Sequence, residues 1–303
     1  MREHPTYTGA FFPGRDHLHH DIYPSISPSQ TPSLKQPGKV VLITGSGRGI
    51  GRAIALQYAH ASVAALILVA RTSSQLDEVE SSILKINPSI RVHKYSLDVT
   101  NDAAVAHCAS GVIEKEGRLD VLINNAGSGS PWVPIEESDT ARYWGSLTIN
   151  VKGPYLFCHA FLPLLQKTAR EQGTTSTVVN ITSIGSQQVF PTTSEYGIGK
   201  IALNRLTEFV GVENAEKGVQ AFAVHPGGVD TSMTKSDETF VKGLDGFLVD
   251  TEELPGGFCV WLSAKERMWL SGRYMAATWD VERLEEMKDE IVKEDKLKSK
   301  LVM

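Results

Sequence analysis

The chain has 303 residues, 41% of them hydrophobic, and a formal net charge of −5. That length and apolar content suffice for a full core, in one large α/β domain or two small ones, while the slightly acidic balance argues against nucleic acid or an anionic membrane as partner. The three cysteines, Cys108, Cys158 and Cys259, lie far apart without a C-x-x-C pair, so no zinc site or disulfide framework is legible and small buried thiols in a reducing compartment are expected.

No apolar h-region follows Met1, and the longest apolar run, residues 63–70, is far too short to span a bilayer. A cytoplasmic location is the expectation. Residues 1–38 are rich in Pro, Ser and Gly without helical or strand periodicity, which predicts an extended arm. Its histidines, His4, His17, His19 and His20 beside Asp21, are expected to be solvated or packed, and no metal is assigned.

From residue 39 apolar, β-rich runs alternate with longer helical patterns, at 39–44, 64–70, 91–96, 119–124, 176–182, 220–225 and 272–275. Seven strands separated by helices predict a mostly parallel sheet covered on both faces, with right-handed crossovers. The predicted organisation is an arm over 1–38, one domain over 39–280, and a C-terminal helix and tail over 281–303. In the last of these, Val281, Leu284, Met287 or Lys288, and Ile291 recur at helical spacing, as expected of one amphipathic helix packed on the domain or on a partner subunit.

Ligands of such sheets bind beyond the C-terminal ends of the strands, near the reversal of strand order. Four motifs stand at those ends. Thr44-Gly45-Ser46-Gly47-Arg48-Gly49-Ile50-Gly51 follows the first apolar run and precedes a helical pattern. Strand, tight turn and helix start bring unpaired N–H groups and a partial positive charge to an anion, and glycines let a pyrophosphate approach the backbone. The others are Asp98-Val99 after the third strand, Asn124-Asn125-Ala126-Gly127 after the fourth, and Ser183 after the fifth.

Tyr196 and Lys200 are four residues apart, so on a helix they share a face. A tyrosine working as acid or base near neutrality needs its pKa of about 10 lowered by about 3 units, roughly 4 kcal/mol of preferential phenolate stabilisation. A lysine ammonium on the same face has the right sign of charge. Ser183, 13 residues before Tyr196, is within reach of the phenol through a short loop.

With these motifs in this order, the chain resembles a classical short-chain dehydrogenase/reductase over roughly residues 38–280, on Thr44-Gly45-x-x-x-Gly49-Ile50-Gly51, Asp98, Asn124-Asn125-Ala126-Gly127, Asn150, Ser183, Tyr196-x-x-x-Lys200 and Pro226-Gly227-Gly228-Val229-Asp230-Thr231. The resemblance implies a Rossmann-type doubly wound α/β fold with a seven-stranded, mostly parallel sheet. It implies hydride transfer between a nicotinamide and a carbonyl or carbinol carbon, with Tyr196 giving or taking the hydroxyl proton. By the same resemblance Ser183 orients the substrate carbonyl, Asn150 holds a water linked to the lysine, and Lys200 lowers the tyrosine pKa and bonds the nicotinamide ribose. Asp98, with Val99 beside it, meets the adenine amino group; Asn125 and Gly127 line the cofactor cleft; Val229 and Thr231, after Pro226, contact the nicotinamide carboxamide. Asn124 is expected to brace strands rather than touch cofactor.

NAD enzymes of this architecture carry an acid at the end of the second strand to bond the adenosine ribose 2′-OH. Here that position is Ala70, followed by Arg71, and the next acid is Asp77. Arg71 and the glycine-turn Arg48 are placed to clamp a 2′-phosphate from two sides, so NADP(H) is the expected cofactor. Gly197 and Gly199 depart from the family's usual small nonglycine residues and weaken their helix by up to about 1 kcal/mol each, and His225 stands where asparagine is frequent.

Trp132, Gln187, Phe190, Met233, Phe240 and Phe247 are the candidate substrate contacts, an aromatic set suited to an apolar or ring-bearing carbonyl or alcohol of small to middle size, or to simple lid packing. An NADP(H)-dependent ketone or aldehyde reductase (carbonyl reductase) is the leading reading; a non-redox epimerase or dehydratase-like member and an NADP(H)-binding sensor remain open. The resemblance also implies a homodimer or homotetramer built on the helices bearing Asn150 and Tyr196.

Overall fold

In a computed structural model, which describes residues 9–129, 132–231 and 246–301, seven strands form one parallel sheet in the order β3-β2-β1-β4-β5-β6-β7. They are β1 (Val40–Thr44), β2 (Ala65–Ala70), β3 (Arg91–Ser96), β4 (Val121–Asn124), β5 (Ser176–Ile181), β6 (Val219–His225) and β7 (Arg273–Ala276). Each predicted strand is present, with ends moved by one or two residues. The order grows outward in both directions from β1 and β4, so the reversal lies between these two, with Val41, Leu42 and Ile43 in register with Val121, Leu122 and Ile123.

β1, β2, β4 and β5 are buried on both faces, which explains the unalternating apolar runs of β1, β2 and β4. Along β1, Val41 and Ile43 enter one core and Val40 and Leu42 the other, the period-two alternation of a strand. The helices are α1 (Gly49–His60), α2 (Ser73–Ile86), α3 (Asp102–Glu116), α4 (Thr140–Leu147), α5 (Gly153–Gln172), α6 (Ser194–Asn214), α7 (Glu253–Ala264), α8 (Val281–Glu286) and α9 (Lys288–Lys293). Their ends are punctuated by side chains: Asn101 accepts from the Ala104 N–H ahead of α3, and Asp139 from the Arg142 N–H ahead of α4. Between α4 and α5 a π-helical turn, Thr148–Lys152, carries Asn150.

Two expectations change. The N-terminal arm is packed rather than extended: its 3-10 turns at Pro24–Ile26 and Pro32–Leu34 bury Ile26 and Leu34 in the core, and the Gln36 side chain donates to Val260 O. The proline-broken composition that hides any periodicity supplies the N1 residue of both turns. The single C-terminal helix is two, interrupted at Met287, whose backbone leaves the helical range at φ −83°, ψ 5°; Val281, Leu284 and Ile291 are buried as the spacing requires. Of the histidines, His19 pairs with Asp280 at 2.7 Å and His20 with Asp250 at 2.6 Å, while His4 lies outside the described residues.

The two edges of the sheet differ. β3 is polar and partly exposed, with Arg91 and His93 paired to Glu116 and Lys94 to Asp77 and Glu80. Along β7 the Tyr274 N–H donates to Leu297 O of the C-terminal segment, and Arg273 pairs with Asp295. No helix among the described residues is long and apolar enough to cross a membrane, and among them no group of three or more His, Cys, Asp or Glu is gathered to hold a metal ion. Cys108, Cys158 and Cys259 are free and buried; burial pushes the Cys108 and Cys158 thiols up to about 12 and raises Cys259 as well.

Candidate active site

The glycine segment leaves β1 at the strand-order reversal and turns directly into α1. Gly45 and Gly49 have φ of +66° and +56°, a region that disfavours side chains. A Cβ at Gly51 would stand 2.2 Å from the Gly45 carbonyl oxygen and 2.5 Å from Asn125 Nδ2, so turn and helix touch backbone to backbone. Across the reversal, Thr44 Oγ1 accepts from the N–H groups of Asn125 and Ala126, and Asn125 Nδ2 donates to Thr44 O and Gly45 O. The helix start that follows has unpaired N–H groups and the positive end of its dipole, an anion cradle that the residues present fit.

Ser46 is corrected. It is fully buried, with both its N–H and its hydroxyl donating to Val69 O, so it ties the turn to β2 and offers the cleft no surface. Arg48 and Arg71 are both exposed, and Gly47, next to Arg48 in the chain, packs on the Ala70 Cβ and the Gln75 side chain, which brings the glycine turn to the end of β2. Asp77 is engaged by Lys94. Asp98 Oδ1 accepts from Thr100 N–H and Oγ1; those bonds and nearby Arg71 hold its carboxyl below the usual range despite partial desolvation. Val99 packs on Gly153 at the start of α5.

The residues singled out for proton chemistry converge at the C-terminal ends of β4 and β5. Lys200, buried on α6, donates from Nζ to Ile181 O at 2.8 Å, and its Nζ lies 5.5 Å from the Tyr196 ring centroid. A Cβ at Gly127 would meet Asn150 Oδ1 at 3.1 Å and Lys200 Nζ at 3.4 Å, which locates all three residues at one point. Asn150 itself is fully buried and grips Ser128, accepting from its N–H at 3.1 Å and donating to its carbonyl at 2.6 Å. A π turn at that position is a common mark of function. The two unusual glycines of α6 serve close approach: a Cβ at Gly199 would press on Asn150 Cβ at 3.0 Å, and one at Gly197 on Gly185 O at 3.1 Å.

Ser183 ends β5 through the buried Thr182, whose hydroxyl donates to Lys200 O. Its Oγ accepts from Gly185 N–H at 3.1 Å and stands close enough to the Tyr196 phenol to favour its phenolate form. Burial raises the Tyr196 phenol above its ordinary value and the Ser183 bond opposes this, while desolvation lowers Lys200 to about 8. Burial thus works against the lowering that proton chemistry at Tyr196 requires: removing a phenolate from water outweighs the hydrogen bond offered to it. The protein's own groups therefore present a neutral phenol beside an ammonium that persists below about pH 8.

Two further residues were not read from sequence. Asn204 Nδ2 donates to Ser186 Oγ at 2.8 Å, and Ser186 Oγ donates to Ser183 O at 2.6 Å, which fixes the loop carrying Ser183. The signal was available, since Tyr196, Lys200 and Asn204 recur every four residues on one face of α6. Asn124 braces the sheet as expected, donating to Asn180 Oδ1, and Asn180 donates to Thr207 Oγ1.

Of the candidate substrate contacts, Trp132 sets its indole edge-on to Tyr196, centroids 5.6 Å apart at 84°. Gln187 turns to Ser186 Oγ, the Phe190 carbonyl takes the Thr193 hydroxyl, and the Phe247 carbonyl lies against Gly228. Met233 and Phe240 lie outside the described residues. Opposite the glycine turn stands the loop after β6: Thr231 Cγ2 is 4.0 Å from where a Gly49 Cβ would be. Val229 is buried and bridges to Asp250, while Pro226 begins the loop.

A glycine turn at the strand-order reversal, with a serine, tyrosine and lysine at the adjoining strand ends, defines a dinucleotide-binding oxidoreductase of the α/β class. The profile of the family described as short chain dehydrogenase matches residues 39–242. Short chain dehydrogenase mpl6 of Monascus purpureus is 42% identical over 292 residues, covering 94% of this chain and 95% of its own length, and short chain dehydrogenase andI of Emericella variicolor is 35% identical, covering 92% and 93%. Among solved structures, levodione reductase superposes with a TM-score of 0.72 at 26% identity, covering 81% of this chain and 98% of its own. Carveol dehydrogenase from Mycobacterium avium, in complex with NAD, does so with a TM-score of 0.73 at 20% identity, covering 82% and 99%. The chain belongs to the short-chain dehydrogenase family and is an oxidoreductase of a fold that binds a nicotinamide cofactor.

Gly51→Ala tests the cradle. The added methyl has no room against Gly45 O, so nicotinamide cofactor affinity, read by fluorescence titration, should fall by about a hundredfold or more, equivalent to at least about 3 kcal/mol of displaced turn. Affinity within threefold of the parent would reject the close-packed turn.

Proposed function

We propose that the protein is an NADP(H)-dependent carbonyl reductase, acting on a ketone or aldehyde of a small to mid-sized apolar metabolite. The observation that carries the reading is the convergence of Asn150, Ser183, Tyr196 and Lys200 beside the glycine turn. Gly45, Gly49, Ile50 and Gly51 would hold the pyrophosphate at the start of α1. Asp98 and Val99 would hold the adenine, and Asn125, Gly127 and the loop from Pro226 through Val229 to Thr231 the nicotinamide half. The cofactor supplies a hydride to the carbonyl carbon.

Tyr196 gives its proton to the carbonyl oxygen as the alkoxide forms. The phenol arrives protonated, and the rise that burial imposes is the cost that Ser183, Lys200 and the bound cofactor must offset for it to act as an acid. Ser183 orients the carbonyl and, by hydrogen bonding, stabilises the phenolate left behind. The Lys200 ammonium lends the same phenolate positive charge and bonds the nicotinamide ribose, and Asn150, meeting Lys200 at Gly127, completes the path by which the proton is restored. Trp132 walls the substrate side of the phenol.

NADP(H) is supported by Ala70 at the end of β2, by the exposed Arg48 and Arg71 close to it, and by the commitment of Asp77 to Lys94. A carboxylate at 70 would repel a 2′-phosphate; two guanidiniums grip it. The NAD complex of carveol dehydrogenase makes this a point to measure. Arg71→Ala should raise the Kd for NADPH about tenfold or more while changing that for NADH by less than about threefold; equal effects would remove the 2′-phosphate role.

Tyr196→Phe should abolish stoichiometric NADPH consumption with a carbonyl panel and leave NADPH binding intact. The parent's kcat/KM for reduction should hold from acid to neutral pH and fall as pH rises through about 8, where Lys200 loses its proton. Turnover surviving in the variant, or substrate converted without cofactor consumption, would rule out the redox mechanism.

Self-association fits the exposed apolar side chains of the two long helices, Tyr155 on α5 and Phe209 and Val212 on α6, whose coverage in a homodimer or homotetramer would remove them from water. Light scattering of the parent should give a dimer or tetramer, and Val212→Glu combined with Phe209→Glu a monomer; a monomeric parent would refute it.

A further inference from the structure

Asp250 is a buried carboxylate outside the proton-transfer set. Its side chain is 5% exposed. Oδ2 accepts from Gly228 N–H at 2.5 Å, and the Asp250 N–H donates back to Gly228 O at 3.0 Å, so one residue takes both backbone polar groups of Gly228. Val229 pairs with Asp250 as a parallel bridge. The glycines make this contact possible: Gly227 has φ +98° and a Cβ there would stand 2.6 Å from Oδ2, and a Cβ at Gly228 would lie 1.8 Å from Phe247 O. The backbone of 227–229 is thus shaped by the 247–250 segment, while Thr231 at its far end faces the glycine turn.

The other carboxylate oxygen belongs to the N-terminal arm. His20 Nδ1 lies 2.6 Å from Asp250 Oδ1. The Thr251 N–H donates to His20 O at 3.0 Å, and the Thr251 hydroxyl to Asp21 Oδ1 at 2.7 Å. His20 is itself held in place, because Leu18 bridges to Trp279, the His19 N–H donates to Thr278 O, and His19 Nε2 pairs with Asp280. Burial raises the Asp250 carboxyl, and His20 and the Gly228 N–H oppose the rise. A carboxylate taken from water persists where donors fill its oxygens, and the arm supplies one of the two.

We infer that His20 and Asp250 are positioning residues for the nicotinamide end of the cleft: the arm, through His20, fixes the Asp250 carboxylate, which sets the backbone of Gly227 and Gly228 and so the height at which Val229 and Thr231 meet the nicotinamide carboxamide. The inference rests on the reading above, in which that loop receives the nicotinamide. It assigns the arm a part in hydride-transfer geometry. The arginines at the adenosine end are not among these contacts, and the glycine turn meets them only at Gly49, where Thr231 Cγ2 and Glu252 Oε1 approach, so the nicotinamide-bearing half of the cofactor should feel their loss most.

The experiment is a paired titration of the full chain and its His20→Ala, His20→Asn and Asp250→Ala variants with NADPH and with 2′-phosphoadenosine 5′-diphosphoribose, which lacks the nicotinamide ring. His20→Ala changes an exposed side chain and spares the core; circular dichroism confirms the fold of each variant. In His20→Ala and Asp250→Ala the Kd for NADPH should rise about tenfold and that for the truncated dinucleotide less than about twofold. kcat should fall by about tenfold to a hundredfold as the reacting carbons lose alignment. His20→Asn, whose amide stands where Nδ1 stood, should recover most of both losses.

Equal weakening of the two ligands, or no change in either, would overturn the inference, since a merely structural role moves both together. NADH and ADP-ribose are titrated in parallel. If the parent prefers that pair, the choice of NADP(H) fails and the same split, read on the NAD pair, decides the positioning roles. If the parent binds neither pair, the dinucleotide reading itself fails and the inference falls with it.

Discussion

The reversal of strand order between β1 and β4 is the constraint on which the rest of the molecule depends. Parallel strands leaving a common line in opposite directions cannot have their following loops cover one another, so a crevice opens at that line. Here the crevice is held to size by a small hydrogen-bond set, Thr44 and Asn125 binding across it. The close packing of Gly51 on Gly45 delivers the start of α1 to one wall. β5 and β6, next in order on the far side, bring Ser183 and the 226–231 loop to the opposite wall. Moving the reversal by one strand would separate the phosphate cradle from the phenol by a strand spacing, about 5 Å.

The far wall is organised by polar contacts buried among β4, β5 and α6. Asn124 reaches Asn180, Asn180 reaches Thr207, Lys200 reaches Ile181 O, and Asn204 acts through Ser186 on the Ser183 carbonyl. Apolar packing alone permits a helix to slide or rotate on a sheet at low cost, whereas buried donors tolerate one seating, since a shift leaves them unsatisfied. Tyr196 inherits its position from this seating. The glycines at 197 and 199, unfavourable for the helix in isolation, let α6 approach Gly185 and Asn150 closely enough for the contacts to form.

Most of the sheet was legible because β1, β2 and most of β4 are apolar on both faces, and such runs leave a signal that neighbouring helices do not blur. The ordered motifs at the strand ends made the crevice legible too. What escaped had no periodic signal. The arm hides two turns and two core residues in a proline-rich stretch, where burial depends on α7 and not on local pattern. Ser46 sits inside a cofactor motif yet turns inward, where its N–H and hydroxyl both donate to Val69 O of β2. The desolvation of Tyr196 was not legible, since spacing reveals which charge shares a face but not how much water is excluded from it. Asn204 was overlooked although its i+4 relation to Lys200 is the one that brought Lys200 itself to notice.

An open sheet ends in two rows of unpaired backbone groups, and this one guards them by different means. On β3 the guard is charge, Arg91, His93 and Lys94 with their acidic partners; on β7 it is chain, the segment around Leu297 taking up the Tyr274 N–H. A charged border repels another strand, and a covered one has nothing left to offer it. Growth of the sheet by strand addition is thereby opposed at both borders, by charge at one and by covering chain at the other. The same closure guards the unfolding protein unevenly. Fraying of the last dozen residues would uncover β7 as a sticky border, while β3 would keep its protection for as long as its charges remain.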